Sequence, residues 1–328
     1  MPANLTPQYL EAEKRYRLAK TVPEKLEALE MMLALIPKHK GTDKLQGEIK
    51  RKISKLRGEF QKKRSSGRRN YPFHVEKEGA AQLILFGFPN VGKSELLAAV
   101  TNASSEIADY AYTTKRPRPG MMTFEDIQFQ LVDGPAFTDS ANETGLFYMV
   151  RNGDLILAVL DLTDEPVLQL EMIFDELDKR GIRVAGKGTD DSENNNNPGK
   201  KLLIVGNKLD MNEADAAYRE VVKEYGAQYN TVAISARTRI NLEEFKKEVY
   251  KASGIIRLYT KMPGKKPDLG SPFVLKKGSN VLDLARMIHK DFVKRLKYAR
   301  IWGSEKYQGQ KVKKEHVLED GDIIELHV

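Results

Sequence analysis

Cysteine is absent from the 328-residue chain, which excludes a disulfide framework, a thiolate zinc site and a cysteine nucleophile. That absence fits a reducing compartment, and a cytoplasmic location is expected. Long apolar runs are missing too. The longest candidates, Leu155 to Leu162 and Leu202 to Val205, fall well short of the ~18 residues that span a bilayer, so no membrane partner is expected. The start, Met1-Pro2-Ala3-Asn4-Leu5-Thr6, lacks a basic segment followed by an apolar core, and no export signal is read there. Acidic residues are outnumbered, 46 Asp and Glu against 54 Lys and Arg, for a net charge of +8. Such a balance favours a polyanionic partner. What remains is 41% apolar, enough to bury real cores, over a length that suggests two or three domains.

Taken in order, the chain shows two boundaries. Thr21 with Glu24 three residues on, and Pro23 in the first turn, starts a helix that carries Leu26, Leu29, Leu33 and Ile36. After Pro37-Lys38-His39-Lys40-Gly41, a second helix from Thr42-Asp43 carries Leu45, Ile49, Ile53, Leu56 and Phe60, so an antiparallel helical hairpin is expected. Residues 38–69 hold thirteen Lys and Arg against Asp43, Glu48 and Glu59, a local charge of about +10. This stretch is either a solvated helix face with a basic linker or a surface for RNA phosphates; nothing in it points to specificity for DNA. From about Val75 to Ser253 apolar runs alternate with helical stretches, the pattern of a mainly parallel sheet covered on both faces. Residues 186 to 200 are polar and low in complexity and read as a surface loop. Beyond Met262-Pro263-Gly264-Lys265-Lys266-Pro267, strands at Phe273-Val274-Leu275 and Ile323 to Leu326 flank a helix from Val281 to Lys290, which suggests a small β-grasp. The expected domains are residues 1–74, 75–258 and 259–328.

The chemistry is concentrated in the middle domain. Gly87-Phe88-Pro89-Asn90-Val91-Gly92-Lys93-Ser94 matches G-x-x-x-x-G-K-S directly after a strand and before a helix. In that arrangement backbone N–H groups cradle phosphates, the lysine reaches the β- and γ-phosphates, and the serine hydroxyl holds Mg²⁺. Asn207-Lys208-Leu209-Asp210 follows the next apolar run. The Asp210 carboxylate there accepts from the guanine N1–H and amine, which adenine lacks, and a buried acceptor left unpaired discriminates by roughly 10⁴-fold. Asn207 and Lys208 brace the phosphate loop and cover the base. Ser235-Ala236-Arg237 lies where a backbone N–H meets the guanine oxygen. Asp133 ends a strand in Asp133-Gly134-Pro135-Ala136, a position from which an acid holds Mg²⁺ through water. Thr113 and Thr114 lie on a polar connection where a hydroxyl is placed to join the metal when a γ-phosphate is present.

These motifs resemble those of Obg-type GTPases. The order of helical hairpin, P-loop domain and β-grasp tail is similar to that of the developmentally regulated GTP-binding proteins and their archaeal relatives. Ile256-Arg257-Leu258-Tyr259-Thr260-Lys261 and the tail with Tyr298-Ala299-Arg300-Ile301-Trp302-Gly303, similar to a TGS domain, extend the likeness over nearly the whole chain. The resemblance implies an α/β fold, binding of GTP and GDP with Mg²⁺, and Thr114 as the metal ligand. Three departures stand out. Ala136 occupies a glycine position, Glu95 replaces a small residue, and the segment before Asn207 is short, so partners that dock on an insertion there are not assumed. Phe137 stands where Ras-like enzymes have a water-orienting glutamine, so slow hydrolysis is expected. Asn90 matches the asparagine that helps hold K⁺ beside the phosphates in related GTPases, which makes Asn90, Lys93 and Thr114 the expected catalytic set. The expected role is a nucleotide switch at the ribosome or on RNA, through the basic hairpin and the tail with Lys294, Arg295, Lys297 and Arg300, with room for a protein cofactor. A nucleotide-gated adaptor that binds protein without touching RNA is the alternative.

Overall fold

The computed structural model describes residues 22–35, 49, 51–53, 73–101, 117–137, 143–188, 199–303 and 308–327. The chain divides into two compact units, Met1–Tyr71 and Pro72–Val328. In the first, helix α1 (Val22–Leu35) forms where its start signals place it, and Ala28, Leu29 and Met32 are buried. Residues 49 and 51–53 are also helical, with Ile49 and Ile53 buried. The remainder of the expected second helix and most of the basic stretch lie outside the described residues.

The second unit begins with a seven-stranded sheet. Its strands are β1 (Gln82–Phe86), β2 (Arg118–Phe124), β3 (Ile127–Asp133), β4 (Leu155–Asp161), β5 (Val184–Ala185), β6 (Lys200–Asn207) and β7 (Asn230–Ala233). The order is β2-β3-β1-β4-β6, with β5 and β7 both paired to β6. All pairings are parallel except that of β2 with β3, a hairpin turned at Glu125-Asp126. Every residue of β1 and β4 is buried, as strands covered on both faces must be. Leu83 and Leu85 join one core with α2 (Lys93–Val100) and α6 (Leu242–Ser253). Ile84 and Phe86 join the other core with α3 (Glu143–Asn152), α4 (Pro166–Lys179) and α5 (Ala214–Tyr225). β2 escapes sequence detection because Pro119 and Gly120 break its pattern; an edge strand tolerates both.

A five-stranded sheet follows, in the order β11-β10-β12-β8-β9. It comprises β8 (Ile255–Thr260), β9 (Asp268–Lys276), β10 (Tyr298–Trp302), β11 (Gln308–Val312) and β12 (Asp322–His327). β8 and β12 are parallel. Since β8 starts at Ile255, this sheet takes in residues that the expected boundary at 258 left with the larger domain. Helix α7 (Val281–Ile288) opens on a capping box, in which the Asn280 side chain accepts from the Asp283 N–H and Asp283 accepts from that of Asn280. The expected helix to Lys290 ends early. His289 is extended, and a separate short helix, α8 (Lys290–Arg295), begins after it. Leu284 and Ala285 pack on Ile256, Ala299, Ile301 and Ile324 from one face of the sheet.

Candidate nucleotide site

Strand β1 delivers the chain into the phosphate loop, and α2 leaves from it. Two glycines are fixed by what surrounds them. A Cβ on Gly87 would fall 2.3 Å from the Val159 carbonyl oxygen of β4, and one on Gly92, at φ +91°, would fall 2.2 Å from Nδ2 of Asn207. Only hydrogen fits at either place. Lys93 is buried, and its Nζ donates to the carbonyls of Gly87 (3.0 Å) and Phe88 (2.6 Å), which places the ammonium within the loop. Asn90 is exposed, with a left-handed φ of 61°.

The Ser94 hydroxyl donates to the Asp133 carboxylate at 2.5 Å, joining the start of α2 to the end of β3. A hydroxyl and a carboxylate side by side are hard oxygen donors of the kind Mg²⁺ takes. With the glycine cradle and the buried lysine, the residues present fit a magnesium nucleotide. Thr113 and Thr114 lie outside the described residues.

The base-binding motif is braced rather than loose. Asn207 is 1% exposed. Its Nδ2 donates to the Val91 carbonyl at 2.8 Å, and its Oδ1 accepts from the Ala236 N–H at 3.0 Å, so one amide ties the phosphate loop to the Ser235-Ala236-Arg237 segment. Ser235 is fully buried; its Oγ accepts from the Thr238 N–H at 3.1 Å. Asp210 and Arg237 are exposed beside it. Lys208 makes an ion pair with Asp161, which lies outside every motif legible in the sequence. Asp161 ends β4 in register with Asn207 of β6. It also accepts from the hydroxyl (2.7 Å) and N–H (3.0 Å) of Thr163. Burial alone would raise the Asp161 carboxyl, but hydrogen bonds from Lys208 and Thr163 and the lysine charge outweigh it and hold its pKa below the ordinary carboxylate value. The signal that marks Asp161 is Asp-Leu-Thr at the carboxyl end of a central strand, next in the sheet to the strand carrying N-K-x-D.

Phe137, where a water-orienting glutamine is missing, is held against apolar neighbours. Its ring lies 5.4 Å from Phe86 and 5.0 Å from Phe88, and its N–H donates to the Gly87 carbonyl at 3.2 Å. Ala136 beside it is half-buried.

Phosphate cradle, magnesium-type donors and the N-K-x-D turn therefore meet at the carboxyl ends of β1, β3, β4 and β6. There β1 is flanked by strands running off to both sides, the place where open α/β sheets bind ligands. This defines a P-loop GTPase domain. Comparison with known proteins agrees: the family described as 50S ribosome-binding GTPase matches residues 82–188, and the TGS domain matches 256–328. An uncharacterized GTP-binding protein of Methanocaldococcus jannaschii is 32% identical over 93% of this chain and 92% of its own length. Human developmentally-regulated GTP-binding protein 2 is 28% identical over 92% of this chain and 98% of its own. Among solved structures, the YchF GTPase of Schizosaccharomyces pombe shares the fold with a TM-score of 0.53 at 17% identity, covering 77% of this chain and 99% of its own. A GTP-binding protein of Pyrococcus horikoshii scores 0.51 at 17% identity, covering 75% and 99%. The chain belongs to the family of developmentally regulated GTP-binding proteins and their archaeal relatives; Obg-type is the looser label.

Proposed function

We propose that this GTP-binding protein hydrolyses GTP slowly with Mg²⁺, is stimulated by K⁺, and uses its nucleotide state to time an encounter with the ribosome or RNA in the cytoplasm. The observation that carries the nucleotide half is the double brace on the base motif, Asn207 to Val91 and Ala236 and Lys208 to Asp161. It ties the N-K-x-D turn to the phosphate loop through the protein's own side chains, and a site fixed in this way favours tight, selective binding.

When bound, Mg²⁺ would neutralise charge on the β- and γ-phosphates, with Ser94, Asp133 and Thr114 as its holders. Lys93 supplies the fixed positive charge inside the loop. No side chain at Phe137 orients an attacking water, so intrinsic turnover is on the order of 10⁻⁴ to 10⁻² s⁻¹, as for unassisted GTPases. Asn90 would help hold a K⁺ ion beside the phosphates, and that ion would supply the missing electrostatic help. Single-turnover hydrolysis in K⁺ and in Na⁺ tests this: K⁺ is expected to be faster, and Asn90→Ala to abolish the difference. Equal rates in the two salts would refute it.

The RNA half is supported by the family description 50S ribosome-binding GTPase and by the open face of the second sheet. One face of β10 is packed on helices; the other carries Tyr298, Arg300 and Trp302. Tyr298 stacks on His327 at 4.4 Å, Lys311 lies 4.1 Å from the Tyr298 ring, and Lys261 lies 4.0 Å from the Trp302 ring. Aromatic rings interleaved with cations suit stacked bases and a phosphate backbone.

A further inference from the structure

The hairpin of β2 and β3 runs from the nucleotide site to the TGS sheet. At one end Asp133, the Mg²⁺-side carboxylate, pairs in register with Arg118. At the other, the Glu125-Asp126 turn is held by two residues of β8. The Arg257 guanidinium pairs with Glu125 and, at 3.1 Å, with Asp126, while its Nη2 donates to Asp320 at 2.9 Å. The Arg257 N–H donates to the same Asp320 carboxylate at 2.7 Å. The Tyr259 hydroxyl donates to Asp126 at 2.5 Å. Tyr250, from α6, donates to Asp320 and lies 5.0 Å beneath the guanidinium. One arginine, 15% exposed, therefore bridges three carboxylates from two turns, that between β2 and β3 and that before β12. The hydrogen bond to Asp320 is the largest influence that holds it protonated, with burial opposing. The bond to Asp126, aided by burial, pushes the Tyr259 hydroxyl up to about 12, so it stays a donor at any physiological pH.

Between these ends the hairpin is stiff. Met122, Phe129 and Leu131 are fully buried, and seven strand residues make a lever of about 20 Å. Close-packed interiors of this kind are hard to compress and transmit strain. A displacement of Asp133 with nucleotide state has this packed hairpin as its route to Asp126, and any such coupling is reciprocal by linkage.

We propose that the contact of Arg257 and Tyr259 with the Glu125-Asp126 turn is a latch, through which the TGS sheet reads and biases the nucleotide-dependent position of the hairpin. This rests on the switch reading above. It also gives the open face a route to the nucleotide, because Tyr259, Ile323 and Trp302 are register partners along one row of the sheet. A partner seated over Trp302 would thereby alter the preference between GDP and GTP.

The test uses the full-length chain with Tyr259→Phe, which deletes only one hydroxyl, and Arg257→Gln. Dissociation constants for GDP and for a non-hydrolysable GTP analogue are measured together with hydrogen exchange over residues 118–133 and 255–260. The latch predicts that the ratio of the two constants moves by about threefold or more in Tyr259→Phe, and further in the same direction in Arg257→Gln. A static seam would lower the melting temperature and leave the ratio untouched, and that result would overturn the latch. Should Arg257→Gln fail to fold, Tyr259→Phe decides. If exchange over 118–133 in the wild type is the same with either nucleotide, the switch reading falls, and the latch with it. If exchange differs between nucleotides but Tyr259→Phe changes nothing, the latch alone falls.

Discussion

At the residue scale, the proposed function makes base choice rest on Asp210 and what positions it. Asp210→Asn turns one acceptor into a donor. Binding assays should then show xanthine nucleotides preferred over guanine nucleotides, and unchanged preference would remove Asp210 from the base site. On the same reading Asp161, which is ion-paired to Lys208, is a positioning residue that acts through it. Its folded pKa lies below the ordinary 3.8, so its contribution is present above that value and is lost only as pH falls through the depressed one. GDP affinity of the wild type should therefore show no step from this group between neutral and mildly acid pH. Asp161→Asn should weaken GDP on the order of tenfold across that same range, the worth of one charge-assisted hydrogen bond. Titration calorimetry at several pH values checks both statements. The phosphate loop and the base motif are legible in the sequence because each is a contiguous string with a fixed spacing. Asp161 is not, because its role comes from strand register with Asn207, which brings together residues far apart in the chain.

At the element scale, strands buried in the sheet announce themselves as unbroken apolar runs: Leu155 to Leu162 marks β4 (Leu155–Asp161) and Leu202 to Val205 marks β6 (Lys200–Asn207). Elements whose stability comes from pairing rather than pattern are harder to see. β2 carries Pro and Gly at an edge, and β11 (Gln-Gly-Gln-Lys-Val) has little apolar content. The break at His289 is of the same kind. Its ring accepts from the Asp291 N–H at 3.2 Å and caps a new helix, a local hydrogen bond that competes with continuing the old one. The start of α7, by contrast, is marked in the sequence by Asn280 with Asp283 three residues on. Asn280→Ala removes one half of a complete capping box and should cost the TGS domain about 1 kcal/mol. Thermal unfolding monitored at Trp302, the chain's one tryptophan, reads that domain directly. A shift absent beyond error would mean that the cap contributes nothing.

At the scale of the whole molecule, the two sheets of Pro72–Val328 form one compact unit, joined through Arg257, and no described helix is long and apolar enough to cross a membrane. The net charge of +8 does not sit at the nucleotide site. Its densest block, residues 38–69, lies in the first unit, and a smaller group lies on the open TGS face. Charge so distributed suits a polyanion touched at several places, and neutralising several phosphates makes affinity fall steeply with salt. On the proposed function, nucleotide state at the P-loop controls those phosphate contacts. Cosedimentation of the full chain with ribosomal particles, loaded with GTP analogue or with GDP and measured at two salt concentrations, tests that link most directly. Pelleting that is greater with the analogue and falls sharply with salt is the result expected. Equal pelleting with both nucleotides, or binding indifferent to salt, would contradict it.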